Sequence, residues 1–138
     1  MAGWEHYSHG ADIGVRGFGC SVEEAFEQAA IALTAVVADV SSVRPSVQIE
    51  IHCEAPDLEL LFVSWLNTIV YEMAVQNMLF SSYRVILSGL SLSGVLVGET
   101  IDPARHQPAV EVKGATVTDL KVECDLEGHW RAQCIVDV

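Results

Sequence analysis

Two aspartates near opposite ends of the chain are the residues whose chemistry is easiest to define. Asp12 lies in the stretch HGADIGV, residues 9–15, where an apolar, strand-like run begins, and Asp137 is the last residue but one. If the strands that carry them are antiparallel neighbours, the start of one strand and the end of the other lie at the same edge of a sheet. Two carboxylates that converge repel each other, so one must hold a proton or a cation must lie between them.

A hard divalent cation, Ca²⁺ or Mg²⁺, takes oxygen ligands of this kind. Val138 would add its backbone carbonyl or its own α-carboxylate to Asp12 and Asp137. A plainer alternative stays open, in which Asp12 caps a turn and Asp137 is a solvated end. Three roles stay open for His9: a hydrogen-bond donor beside the site, a general base, or a structural histidine. Asp39 fits either the same acidic patch or a solvated turn after a helix.

No nucleophile or nucleotide-binding motif accompanies these acids. The patterns G-x-S-x-G, G-x-x-x-x-G-K-[ST] and G-x-G-x-x-G are all absent. Lys113, one of only 7 basic residues, is more typical of the solvent face of a strand than of a catalytic amine. A small metal-dependent hydrolase, with Asp12 and Asp137 as ligands and His9 as base, is therefore a weaker alternative.

The composition indicates one acidic globular domain spanning residues 1–138. Hydrophobic residues make up 51% of the chain, and 19 acidic residues against 7 basic ones give a net charge of -12. Such a surface repels phosphate backbones, so we expect no direct, extensive binding to nucleic acid. It suits hard cations or a basic protein partner.

The cysteines and the chain start favour a cytoplasmic protein. The four cysteines form no C-x-x-C pair, and the sequence opens without a basic start or an apolar stretch. We therefore expect reduced thiols. No uncharged run reaches 18 apolar residues, so we expect no membrane span. The oligomeric state stays open, because the apolar arc of the second predicted helix would serve as core or as interface.

Local signals predict an α+β fold, with two helices packed on a largely antiparallel β-sheet. Ser21 and Glu24 form a capping box for a helix over 22–38, and Asp57 is a plausible N-cap for a helix over 58–76. The remaining apolar segments alternate or lie between turn residues, as strands do. They are residues 5–8, 13–18, 47–52, 83–92, 93–99, 111–116, 120–125 and 130–136.

Six motifs, in order over essentially the whole length, resemble the archease family. They are residues 9–15 (HGADIGV), 21–30 (SVEEAFEQAA), 60–67 (LLFVSWLN), the Gly98-Glu99 step, 112–116 (VKGAT) and 135–138 (IVDV). The chain departs from the family pattern at Gly10, where a Thr is usual. It also departs at Val117 and Thr118, where Tyr and His are usual.

The resemblance implies a non-catalytic protein cofactor with an archease-like fold. Archeases assist the GTP-dependent RNA-splicing ligase of the RtcB type in tRNA splicing and RNA repair, by promoting ligase guanylylation and multiple turnover. The family carries a divalent metal, Ca²⁺ or Mg²⁺, at positions that correspond to Asp12, Asp137 and Val138. The changes at Val117 and Thr118 leave a second possibility open, a binding or chaperone module for a different partner.

Overall fold

The chain folds into two antiparallel sheets and two long helices. The computed structural model describes residues 2–138. The strands are β1 (Gly3–His9), β2 (Asp12–Gly19), β3 (Val47–Glu54), β4 (Met78–Ser88), β5 (Ser91–Thr100), β6 (Gly114–Ala115), β7 (Lys121–Cys124) and β8 (Trp130–Asp137). The helices are α1 (Val22–Val37), α2 (Leu58–Gln76) and the short α3 (Pro103–His106).

The strands divide between two sheets rather than forming the single sheet that the sequence suggested. One sheet has the order β1-β2-β8-β6, with β7 also paired to β8, and the other has the order β3-β5-β4. All of the pairings are antiparallel. The predicted α+β class and the antiparallel pairing are therefore confirmed.

Helix α1 begins at the predicted capping residues. Ser21 Oγ accepts a hydrogen bond from the Glu24 N–H (3.1 Å). The Glu24 carboxylate accepts a hydrogen bond from the Cys20 N–H (2.8 Å), one residue before the N–H of Ser21 that a capping box would use. Glu23 and Glu24 also complement the positive end of the helix dipole. The start of α1 is thus fixed by local chemistry.

Gly17 of β2 allows α1 to lie directly on the five-stranded sheet. A Cβ at this position would lie 2.2 Å from the Ala25 carbonyl oxygen and 2.3 Å from the Ala29 nitrogen. Both of those atoms are helix backbone, which cannot move aside. Close helix–strand contact therefore requires glycine here.

Helix α2 has the predicted bounds and packs one face in the core. Asp57 accepts a hydrogen bond from the Leu60 N–H (2.8 Å), and the helix ends at Asn77 in the left-handed conformation (φ 54°). Its fully buried side chains are Leu61, Phe62, Trp65, Leu66 and Ile69. Tyr71 and Val75 on the other side are exposed.

Length and composition alone would let α2 cross a membrane, since its mean hydropathy reaches 1.4. The sequence criterion missed it because Glu59 and Glu72 interrupt the apolar run. One or two such helices are weak grounds for a membrane span, since the core helices of globular domains pass the same test. The buried face of α2 identifies it as a core helix.

The two helices join the sheets around one continuous hydrophobic core. Helix α1 contacts β2 of one sheet and β4 of the other, and α2 likewise contacts strands of both. The indole N–H of Trp65 donates to the Phe26 carbonyl (3.0 Å), and the rings of Phe26 and Phe62 lie 5.1 Å apart. The core therefore holds both sheets in fixed relation.

Several strand boundaries differ from the sequence prediction. Strand β4 begins at Met78 rather than Tyr83, because the left-handed Asn77 reverses the chain directly after α2. The β4–β5 turn falls at residues 89–90, where Gly89 has a φ of 61°. The predicted strand over 111–116 is reduced to β6, and the predicted loop over 100–108 contains α3.

The free edge of β4 is covered by α1. The Val85 N–H, which points away from β5, donates to the Glu27 carboxylate (2.8 Å). Burial raises the pKa of Glu27, and the Val85 hydrogen bond opposes that rise. One outward N–H of this edge strand is thereby unavailable to an added strand.

Candidate metal centre

A tight hairpin presents His9 and Asp12 side by side. Strands β1 and β2 pair up to His9 opposite Asp12, which leaves only Gly10 and Ala11 in the turn. Gly10 has a φ of 61°, whereas Ala11 does not have a positive φ, and this is the pattern of a type II′ turn. Glycine at position 10 is therefore the residue that the turn favours.

The neighbouring strand brings the second acid to the same row. Strands β2 and β8 pair from Gly19 opposite Trp130 to Ile13 opposite Val136. The same register continued by one step would place Asp12, the first residue of β2, opposite Asp137, the last residue of β8. Residues directly opposite have Cα atoms about 4.5–5.5 Å apart and side chains on the same face. We call Asp12 and Asp137 the acid pair.

Strand β6 and helix α2 hold the far side of this row. Gly114 pairs with Asp137, and the Lys113 N–H donates to the Asp137 carbonyl (2.8 Å). The Asn67 side chain of α2 accepts from the Ala115 N–H (2.9 Å) and donates to the Ala115 carbonyl (3.2 Å). The end of β8 is therefore tied to a core helix, although β6 has only two residues.

The acid pair has no internal counter-charge. The Asp12 side chain is half-buried and that of Asp137 is exposed, and neither carboxylate makes a hydrogen bond or ion pair with a side chain of residues 2–138. Like charges directly opposite on a sheet repel. A cation between them would remove that repulsion, and carboxylate oxygens are the ligands that Ca²⁺ and Mg²⁺ prefer. The donor set therefore fits a hard divalent ion.

The acid pair alone would be an incomplete coordination shell. Within the described part of the chain, no group of three or more His, Cys, Asp or Glu side chains is arranged to hold a metal ion. Any further protein ligand must be an oxygen outside that set. Val138, half-buried and next to Asp137, carries such oxygens.

The other candidates from the sequence take different positions. His9 lies in the row of the acid pair but two strands away from Asp137, a separation of about 10 Å. Asp39 caps a short 3₁₀ turn by accepting from the Ser41 N–H (3.0 Å). Lys113 is exposed, as expected, just outside β6.

A polar cluster that begins two rows from the acid pair was missed at the sequence level. It joins Tyr7, Arg16, Asp119 and Gln133 through hydrogen bonds and a cation–π contact. Tyr7 and Asp119 are 112 positions apart, so no local pattern links them. The one available signal was Gly14 within β2, whose missing side chain leaves room for the Tyr7 ring.

A second acidic centre, Glu99 of β5, is neutralised within the chain. Its carboxylate accepts from Arg105 (2.6 Å), from the Arg44 N–H (2.7 Å) and from His106 Nε2 (3.0 Å). The His106 Nδ1 atom accepts from the Asp102 N–H (2.8 Å), so Nε2 carries the proton that faces Glu99. The Arg105 hydrogen bond, followed by that from Arg44, lowers the pKa of Glu99 from 4.5 to about 2.

Comparison with known proteins places the whole chain in one family. Residues 4–138 match the model of the Archease protein family. Protein archease of Pyrococcus furiosus is 39% identical over 142 residues, with 100% of both chains covered. The chain belongs to the archease family.

Other members of the archease family span the chain in the same way. Protein archease of Methanopyrus kandleri is 35% identical over 139 residues, covering 98% of this chain and 99% of its own. The solution structure of protein 1598 of Methanobacterium thermoautotrophicum matches with a TM-score of 0.85, 28% identity and 99% of each chain covered. The two-sheet fold of the chain is therefore that of a solved structure over its full length.

Proposed function

We propose that this protein is a non-catalytic cofactor of a GTP-dependent RNA-splicing ligase of the RtcB type. In this role it promotes guanylylation of the ligase and its multiple turnover during tRNA splicing and RNA repair. Family membership supports the partner. The observation that carries the proposal is the acid pair, Asp12 and Asp137, at an exposed sheet end where no cationic side chain of residues 2–138 contacts either carboxylate.

Three oxygen-bearing residues would hold a divalent ion in this proposal: Asp12, Asp137 and Val138. Bound there, a Ca²⁺ or Mg²⁺ ion supplies positive charge, which offsets repulsion among the phosphates that a ligase must gather around GTP. These three residues would position the cation and balance its charge, and they would form no bond to the substrate of the ligase. The site lies at the end of a rigid sheet, where it is accessible to a second protein.

The charge of the rest of the surface fits the same partner. A net charge of -12 complements the basic face of an RNA-binding enzyme and disfavours independent binding to RNA. Such complementarity accelerates encounter and weakens as salt is raised. Stimulation of the ligase should therefore decrease with ionic strength more steeply than the basal activity of the ligase does.

The test measures covalent guanylate on the purified ligase under limiting divalent metal, with and without this protein. We expect wild-type protein to raise the guanylylated fraction, and Asp12→Asn and Asp137→Asn each to lose the stimulation. Glu50→Gln is the matched control, since it removes one exposed carboxylate from the other sheet. It should stimulate as the wild type does.

Circular dichroism of each variant keeps loss of function separate from loss of fold. The proposed role of the acid pair is wrong if both aspartate variants are folded and stimulate the ligase as fully as Glu50→Gln. The proposed partner is wrong if wild-type protein leaves guanylylation unchanged across the metal titration.

A further inference from the structure

The ring of Tyr7 lies across β2, beside the acid pair. Tyr7 is opposite Gly14 in the β1–β2 register, and Gly14 is opposite Ile135 in the β2–β8 register. A Cβ at Gly14 would lie 2.3 Å from two atoms of the Tyr7 ring. The ring therefore occupies the space that any other residue at position 14 would fill. This row is two residues from the acid pair on both β2 and β8.

The hydroxyl of Tyr7 reaches a different part of the chain. It donates to Asp119 Oδ2 (2.9 Å), in the segment that precedes β7. The Arg16 guanidinium lies 4.2 Å from the Tyr7 ring centroid, which is cation–π distance. Its Nε donates to Gln133 Oε1 of β8 (2.8 Å). The ring is therefore held both at its face and at its hydroxyl.

Asp119 connects Tyr7 to β8 through Gln133. Its carboxylate and its carbonyl both accept from Gln133 Nε2, at 3.0 Å and 3.2 Å. Gln133 is 2% exposed whereas Asp119 is exposed, so these bonds are partly buried and join the surface loop to the interior strand β8. Asp119 itself is in the left-handed conformation (φ 53°), which aspartate tolerates better than most residues. The path β1–Tyr7–Asp119–Gln133–β8 is therefore continuous, and we call it the Tyr7 bridge.

The position of the Tyr7 bridge gives it a specific consequence. Asp12 and Asp137 are the terminal residues of their strands, where the ladder of backbone hydrogen bonds ends. The bridge links β1 to β8 across β2, from Tyr7, two residues along the register from that end, to Gln133, four residues before Asp137. Metal affinity depends on partners that orient the ligands as well as on the ligands themselves. Burial and the hydrogen bond to Asp119 raise the pKa of Tyr7, so its hydroxyl stays protonated and continues to donate.

We propose that Tyr7 is a positioning residue for the acid pair, which fixes the separation of Asp12 and Asp137 through Asp119 and thereby sets the affinity of the site for a hard divalent cation. The inference rests on the proposed metal site. It does not depend on the identity of the ligase partner. It assigns a function to a hydrogen-bond path whose members do not themselves touch the cation.

The experiment measures binding of Ca²⁺ alone to the full chain by calorimetry at 25 °C, with Tb³⁺ luminescence as a second probe. Tyr7→Phe removes one oxygen atom and should weaken Ca²⁺ affinity about 10-fold. Tyr71→Phe makes the same change on the exposed face of α2 and should leave the affinity unchanged.

Two variants at Asp119 separate the hydrogen bond from the charge. Asp119→Asn and Asp119→Ala both remove a negative charge, but only the asparagine keeps an oxygen that can accept from Tyr7. We expect Asp119→Asn to bind Ca²⁺ several-fold more tightly than Asp119→Ala, roughly the difference that one hydrogen bond makes. A purely structural role would change the melting temperature of these variants in EDTA without separating their affinities.

The outcomes distinguish this inference from the proposal on which it rests. If Asp12→Asn weakens Ca²⁺ binding and Tyr7→Phe binds like the wild type, the acid pair is a metal site and the Tyr7 bridge does not position it. Equal affinities for Asp119→Asn and Asp119→Ala would also overturn the inference. If wild-type protein binds neither Ca²⁺ nor Tb³⁺, the metal site and the Tyr7 bridge proposal are both wrong.

Discussion

Glu99 and the acid pair are two acidic centres of one small domain with opposite surroundings. Glu99 on the three-stranded sheet accepts from two side chains and one backbone N–H, and its pKa falls to about 2. Asp12 and Asp137 lie at the same end of the neighbouring strands β2 and β8, and neither carboxylate has a side-chain partner in residues 2–138. A carboxylate that is satisfied internally stabilises the fold, whereas a pair that lacks an internal partner is available to a cation from outside.

The largest effect that would test this comparison is stabilisation by Ca²⁺. A ligand at 100 times its dissociation constant stabilises the folded state by about 2.7 kcal/mol. We expect thermal melts of the wild type to shift upward accordingly and those of Asp12→Asn and Asp137→Asn not to shift. Glu99→Gln should keep the full Ca²⁺ shift. A Ca²⁺ shift that survives in both aspartate variants would place the binding site elsewhere.

Substitution of Glu99 should lower the stability of the fold without affecting cation binding. Glu99→Gln removes the charge that Arg105 and His106 contact, and leaves the Arg105 guanidinium without its carboxylate. We expect a fall in melting temperature of roughly 5 °C in metal-free buffer. In the same buffer, Asp12→Asn should melt at or slightly above the wild-type temperature, because it relieves repulsion. Equal melting temperatures for the two variants would remove the distinction between the centres.

Acid titration should resolve the contribution of Glu99. Its pKa is depressed in the folded state, so its stabilisation is complete above the ordinary value of 4.5 and is lost as the pH falls toward about 2. Urea melts at intervals over this range should show a loss of stability in the wild type. Glu99→Gln should show a flatter profile. Parallel profiles would assign the acid sensitivity to other carboxylates.

The smallest effect is expected at Glu27, an acid with a single internal donor. Burial raises its pKa, so the charged form costs some stability at neutral pH and lowering the pH through that raised pKa should relieve the cost. Glu27→Gln keeps an oxygen for the Val85 N–H and should change stability by no more than about 0.5 kcal/mol. Glu27→Ala leaves that N–H unpaired and should cost about 1 kcal/mol, measured by urea denaturation. Identical values for the two variants would mean that the hydrogen bond contributes nothing.

Local features of the fold were predictable, and non-local features only in part. The caps at Ser21 and Asp57, together with the spacing of apolar residues, predict α1 and α2 to within one residue. The division into two sheets was not predicted, because alternation and turn residues indicate which segments are strands but not which strands share a sheet. The start of β4 was misplaced because a left-handed asparagine, Asn77, ends α2 where glycine is the commoner signal.

The candidate site divides in the same way. Asp12 and Asp137 stood out because acids bordering apolar strands are unusual, and their approach was conditional on a pairing that the structure contains. Tyr7 and Asp119 did not stand out, because a tyrosine in a strand and an aspartate in a loop are ordinary residues. Their relation exists only in the folded chain, and Gly14 is its one trace in the sequence.

The carboxylate of Glu27 on the free edge of β4 also limits how copies of the protein can aggregate. Growth of a fibril by adding strand to strand requires two open edges, one to receive the next copy and one to offer to it. Because the Glu27 carboxylate of α1 accepts from the Val85 N–H, a strand added at the β4 edge of the three-stranded sheet would have to displace that bond. A single side chain thus makes strand addition at this edge less favourable.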